Sequence, residues 1–146
     1  MAAAEGESIL MVDGAARGNP GEAGCGAVIL DESGAVIKEV SRYLGRTTNN
    51  VAEYEALLLG LEALIDLGKK VVRIQSDSQL LVRQLNGEYR VKDKKLRRLF
   101  DSAVILLRRF DKVRIVHVPR ELNKHADRLA NRGIDDGLKR ARAKVD

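Results

Sequence analysis

Ile9-Leu10-Met11-Val12, ended by Asp13-Gly14 and followed by Gly18-Asn19-Pro20-Gly21, predicts a short, wholly apolar strand at the centre of a sheet and then a tight turn. Pro20 presets one φ and the flanking glycines permit positive φ, so the chain reverses there. The segments Gly24 to Leu30 and Ala35 to Tyr43 read as two further strands joined by the loop Asp31-Glu32-Ser33-Gly34. The first third is thus an antiparallel three-strand meander.

Helical periodicity begins near Val51 and runs to Leu67, with Gly68 as the stop. Val71 to Ser76 reads as a strand, Ser78 to Asn86 and Asp93 to Phe110 as helices, and Val113 to Val118 as the last strand. A final helix spans Leu122 to Arg132 and ends at Gly133. This order predicts a five-stranded mixed α/β sheet flanked by helices, with hairpin strands antiparallel and crossover strands parallel. The expected organisation is an N-terminal extension over 1–8, one domain over 9–134, and a mobile basic tail over 135–146.

Four acids stand at predicted element ends. Asp13 closes the apolar strand, Glu53 follows Thr47-Thr48-Asn49-Asn50, Asp77 lies in Ser76-Asp77-Ser78-Gln79, and Asp127 lies in Asn123-Lys124-His125-Ala126-Asp127. Each has an ordinary structural reading. Asp13 could open a turn, Glu53 could complete a capping box with Asn50, Asp77 could cap a helix, and Asp127 could answer a helix dipole. Against this, the carboxyl end of a central strand is where α/β folds place ligands. Glu53 also extends the apolar stripe Leu57, Gly60, Leu64. Four convergent carboxylates would hold two divalent ions among oxygen ligands.

Bulk properties set outer limits. The 146 residues suffice for one domain, and the net charge of +5 favours an anionic partner without naming it. No apolar run reaches membrane-spanning length, and the first residues lack the pattern of a secretory signal. One cysteine, Cys25, excludes an intrachain disulfide and points to a cytoplasmic location. No phosphate-binding Gly-Lys-Ser/Thr loop, zinc-ligand spacing or Gly-x-Ser-x-Gly elbow is present.

The motifs Asp13-Gly14, Gly18-Asn19-Pro20-Gly21, Thr48-Asn49-Asn50…Glu53, Asp77-Ser78-Gln79 and Asn123…Asp127 resemble, in order, those of ribonuclease HI from about Ile9 to Ile134. The resemblance implies an RNase H-like fold and hydrolysis of the RNA strand of RNA/DNA hybrids with two Mg²⁺, for which Mn²⁺ substitutes. It implies that Asp13 bridges both ions, Asp77 and Asp127 serve the ion that activates water, and Glu53 serves the other. Asn19, Asn49, Asn50 and Gln79 would read the RNA 2′-hydroxyls, and Arg46 with Thr48 would hold a DNA-strand phosphate. The link Gly87 to Lys92 is short and Trp-free, as in the branch lacking a basic protrusion. The loop before Asp127 is contracted, and Arg120 stands as its mobile cationic group. The hybrid duplex is the expected partner of a monomer, with no membrane and no obligatory protein partner. A silent nucleic-acid-binding module and a broader ribonuclease acting on double-stranded RNA are the alternatives.

Overall fold

The computed structural model describes residues 3, 4 and 6–145. Five strands form one sheet: β1 (Ser8–Gly18), β2 (Gly21–Leu30), β3 (Val36–Thr47), β4 (Val71–Ser76) and β5 (Lys112–His117). Four helices accompany them: α1 (Asn49–Asp66), α2 (Gln79–Leu85), α3 (Lys94–Leu107) and α4 (Lys124–Val145). The sheet order is β3-β2-β1-β4-β5. β1 and β2 pair antiparallel, as do β2 and β3, whereas β1–β4 and β4–β5 are parallel. The mixed sheet expected from the element order is the one observed.

Alternation along β2 separates the two faces of the sheet. Cys25, Ala27 and Ile29 join Leu10 and Val12 in a core completed by Tyr54, Leu57, Leu61 and Leu64 of α1. Val28 instead packs with Ala126 and Leu129 of α4, alongside Met11 and Leu30. α3 reaches the first core through Ala103, with Leu96 and Phe100 packed against it. Each fully buried Leu or Ile contributes about 2 kcal/mol of transfer free energy. Among the described residues, no helix is long and apolar enough to cross a membrane.

Two element boundaries differ most from the sequence reading, while β2 also begins earlier, at Gly21, β3 runs on to Thr47, and α3 ends sooner, at Leu107. β1 does not stop at Asp13-Gly14 but runs to Gly18, because Asp13 through Arg17 pair residue by residue with Gly26 back to Glu22. α4 does not end at Gly133: the stretch expected as a basic tail continues the helix to Val145. Gly133 and Gly137 are points of close approach rather than stops. A Cβ on Gly133 would lie 2.6 Å from the Arg42 carbonyl oxygen, and one on Gly137 would run into the Tyr43 ring.

Glu7, buried just ahead of β1, ties the start of the chain to the far edge of the sheet. Its two oxygens accept from Arg114 Nε at 2.8 Å and Nη2 at 2.7 Å. The Arg114 hydrogen bonds outweigh burial and hold the Glu7 carboxyl down at about 2. A depressed carboxyl contributes stability above its unfolded value near 4.5, and that contribution is lost as pH falls toward 2. Urea midpoints of the wild type and Glu7→Gln should therefore differ most above pH 4.5 and converge toward pH 2. A difference independent of pH would contradict this assignment.

Candidate active site

Hydrogen bonding between β1 and β4 ends at the pair Met11↔Gln75, two residues before Asp13 and Asp77. Beyond that pair β1 continues only with β2, and β4 stops at Ser76. The gap opens where the chain order reverses about the central strand, the place at which open sheets receive ligands. α1 enters this gap because Gly14 carries no Cβ. A Cβ there would lie 2.6 Å from the Ala52 carbonyl oxygen and closer still to the Ala52 carbonyl carbon and the Glu53 nitrogen. Bare backbone against bare backbone brings Glu53 beside Asp13.

Capping does not account for the acids. Thr48, not Asn50, caps α1, its hydroxyl accepting from the Val51 N–H at 3.3 Å. Glu53 is therefore two residues too deep in the helix for a capping box, whose place is taken by Val51. Ser78, not Asp77, caps α2, accepting from the Leu81 N–H at 3.2 Å. Both carboxylates are left to face the gap. Ligand oxygens of Asp13, Glu53 and Asp77 all lie within 4.8 Å of one another. Asp127, in the first turn of α4, lines the same cleft, a cavity of about 510 Å³.

This concentration of like charge perturbs the acids. Asp13 is pushed up to about 8, by burial first and then by the Asp77 charge. Glu53 is raised well above its ordinary value, again by burial and then by Asp13, and its Oε2 is buried with no hydrogen-bond partner. Burial also raises Asp77; the Arg120 charge opposes that rise and the Asp127 charge reinforces it. A buried carboxylate oxygen without a donor is costly unless a cation answers it. The donor set is oxygen alone, which suits a hard divalent ion such as Mg²⁺.

The remaining expected residues divide. Asn49, Asn50 and Arg120 line the cleft with the acids, Arg120 on a single 3-10 turn (Arg120–Leu122) where it is exposed. Asn19 and Thr48 line an adjoining cleft that shares Asn50 and includes Lys95 of α3. The Asn19 side-chain oxygen accepts from the Asn49 N–H at 3.1 Å, joining the β1–β2 turn to the start of α1. Arg46 on β3 and Gln79 at the start of α2 are exposed and line neither cleft. His117 Nε2 lies 3.3 Å from the Asp77 carbonyl oxygen, while His125 is turned away to Glu39 at 2.5 Å.

Two residues at the site had not been assigned a role. Asn123 is fully buried and donates to the Val12 carbonyl at 2.9 Å, pinning the start of α4 to the strand that bears Asp13. Its place four residues before Asp127 was the available signal. Lys95 is one of several basic residues on α3, beside Lys94, Arg97 and Arg98, and nothing in the helical period distinguishes it.

The chain matches the family described as reverse transcriptase-like over residues 11–133. It is 46% identical over 124 residues to the ribonuclease HI of Halobacterium salinarum, covering 85% of this chain and 62% of that protein. It is 40% identical over 139 residues to a bifunctional protein of Mycobacterium tuberculosis, covering 94% of this chain and 38% of that protein. The chain therefore spans less than two thirds of these curated relatives. Among solved structures, LC11-RNase H1, isolated from compost by a metagenomic approach and solved with an RNA/DNA hybrid, superposes with a TM-score of 0.85. The two are 46% identical, and the match covers 90% of this chain and 99% of that one.

Proposed function

The chain belongs to the type 1 ribonuclease H family, and we propose that it hydrolyses the RNA strand of RNA/DNA hybrids at the cleft bounded by Asp13, Glu53, Asp77 and Asp127. The observation that carries this reading is the close approach of three carboxylates, one with a buried, unpartnered oxygen. A module that only bound nucleic acid would gain nothing from acids gathered where phosphates must pass. The hybrid bound to LC11-RNase H1 supports the choice of substrate.

Asp13, Glu53, Asp77 and Asp127 would hold divalent cations, with Mg²⁺ expected and Mn²⁺ a substitute. The chemistry supplied by the bound ions is activation of the attacking water and neutralisation of charge on the leaving 3′ oxygen, which gives a 5′-phosphate product. The chain's own contribution is placement. β1 and β4 set two acids side by side at the sheet's end, Gly14 admits Glu53, and Asn123 anchors the helix that brings Asp127. Asn49 and Asn50, on the rim, each offer donor and acceptor atoms to an RNA 2′-hydroxyl, a group DNA lacks. Asn19, Thr48 and Lys95 form an adjoining surface suited to a backbone phosphate. Arg46 and Gln79 would reach substrate only from outside these clefts. The same reading has a monomer working in the cytoplasm, in keeping with a lone, buried Cys25.

Arg120 is the exposed cation at the rim, close enough to Asp77 to oppose the upward push of burial on its carboxyl. Its charge would offset that of the scissile phosphate, because a guanidinium cannot act as a base near neutral pH. Arg120→Ala should lower kcat about 100-fold, at the low end of the range for losing one charge-stabilising donor. KM for the hybrid should change little. Unaltered turnover would remove Arg120 from the site.

Cleavage of labelled RNA/DNA, RNA/RNA and DNA/DNA duplexes, each in Mg²⁺ and in Mn²⁺, tests the proposed function. Cutting of the hybrid alone is expected. Cutting of RNA/RNA as well would establish the broader ribonuclease, and cutting of none would leave a binding module.

A further inference from the structure

We propose that Asn131 is a positioning residue for Asp127, tying down one carboxylate oxygen so that the other is presented to the cleft, with Arg17 fixing the direction of the Asn131 amide. The inference rests on the reading of the four acids as cation ligands and extends it to groups that touch neither cation nor substrate.

Asp127, Asn131 and Asp135 are spaced four residues apart on α4 and so fall on one stripe of the helix. Asn131 Nδ2 donates back to the Asp127 carbonyl oxygen at 3.1 Å and to Asp127 Oδ1 at 3.4 Å. On its other side, Asn131 Oδ1 accepts from Arg17 Nη2 at 3.3 Å. Arg17 Nη1 is in turn held by Asp135 Oδ1 at 2.8 Å. A guanidinium has donors only, so the amide oxygen must face Arg17 and the NH₂ must face Asp127. Both ends of the chain of bonds therefore agree on a single orientation of the amide.

The geometry decides what this does to Asp127. Carboxylate χ2 torsions are broad, so an Asp in the first turn of a helix swings freely unless something holds it. With Oδ1 bonded to Asn131, rotation is restricted and the second oxygen is left for the cleft that Asp127 lines. Arg17 lies on β1, four residues beyond Asp13, so the bonds also lock the α4 stripe to the strand carrying another of the acids. The Arg17 charge is met by Asp135, which lets a neutral amide do the positioning. Groups that orient a metal ligand in this way change metal affinity even though they never touch the ion.

The test compares wild type, Asn131→Ala, Arg17→Ala and Arg17→Lys by Mn²⁺ titration of hybrid cleavage, by calorimetric Mn²⁺ binding to the free protein, and by Tm. Asn131→Ala should raise the half-activating Mn²⁺ concentration about tenfold, as for loss of an outer partner of a metal ligand, and weaken calorimetric binding in parallel. KM for the hybrid at saturating cation should stay within about twofold, since no substrate contact is removed. Arg17→Ala should shift the Mn²⁺ requirement in the same direction by less, and Arg17→Lys, which keeps a donor, should recover part of the loss. A Mn²⁺ curve for Asn131→Ala that superposes on wild type would overturn the proposal. A loss of Tm and activity with the cation requirement unchanged would also overturn it, as would an Arg17→Ala effect confined to hybrid KM. A wild-type protein that cuts no hybrid would reject the proposed function instead, while the calorimetric comparison would still decide the role of Asn131.

Discussion

Asp13→Asn should abolish cleavage and stabilise the fold. Asp13 is the most central of the four acids, on the middle strand and against Glu53, with Asp77 and Asp127 both acting on its charge. Losing it should reduce hybrid cleavage by about 10³-fold or more, beyond the 10–100-fold typical of outer partners. That loss corresponds to about 4 kcal/mol in the barrier. Hybrid binding should persist, because the amide removes a negative charge from the path of the phosphates.

Stability moves the other way. The Asp13 carboxyl is raised to about 8 in the fold against 3.8 in the unfolded chain, so the folded state binds the extra proton between those values. Stability from this group is highest below pH 4 and falls as pH rises toward 8. Asn is neutral throughout, and its NH₂ can donate to the neighbouring Glu53 carboxyl. In chelator at pH 8, Asp13→Asn should raise Tm by about 5 °C, corresponding to one or two kcal/mol in a domain of this size. The gain should shrink toward pH 4. A lower Tm at pH 8 would mean that the acids are not in mutual repulsion.

Gly14→Ala should be a severely disruptive change at the site itself. Its Cβ would fall among backbone atoms of Ala52 and Glu53, which cannot rotate aside. Relief requires α1 to lift from β1, loosening the contacts of Tyr54, Leu57, Leu61 and Leu64 with the sheet. Overpacking ordinarily costs about 1–3 kcal/mol, and a clash with rigid backbone should exceed 3. Gly60→Ala provides the contrast: its Cβ would come nearest to the Leu10 side chain, at 2.5 Å, which can adjust more readily than backbone. Chemical denaturation should rank Gly14→Ala well below Gly60→Ala. Gly14→Ala should also lose activity in whatever fraction remains folded, because Glu53 is displaced from Asp13. Equal stability of the two variants would refute the close-approach argument.

The acids were legible in the sequence because each sat in a polar run interrupting a strongly patterned element. The apolar run before Asp13 marked the central strand, and the sheet order followed from which connections were hairpins and which were crossovers. Capping was harder to read. Thr48, Asn49 and Asn50 are all competent caps, as are Asp77 and Ser78, and the choice among neighbours depends on where the sheet holds the backbone. Sequence alone shortens β1 because Asp13-Gly14-Ala15-Ala16 has weak strand propensity, which pairing with β2 overrides. α4 was read short because Gly133 resembles a helix stop, whereas its role is contact with β3. The Asn131–Arg17 contact joins residues 114 apart in sequence, a separation that local patterning does not reveal.

The most direct test of the account is the chemical nature of the new RNA ends. A hybrid with end-labelled RNA should be cut in Mg²⁺ to give 5′-phosphate and 3′-hydroxyl termini, leave the DNA strand intact, and survive uncut with Asp13→Asn. That result would establish water as the nucleophile at the carboxylate cleft. Products ending in 2′,3′-cyclic phosphate would show attack by the RNA 2′-hydroxyl itself, and cleavage undiminished in chelator would show chemistry without bound cations; either would contradict it.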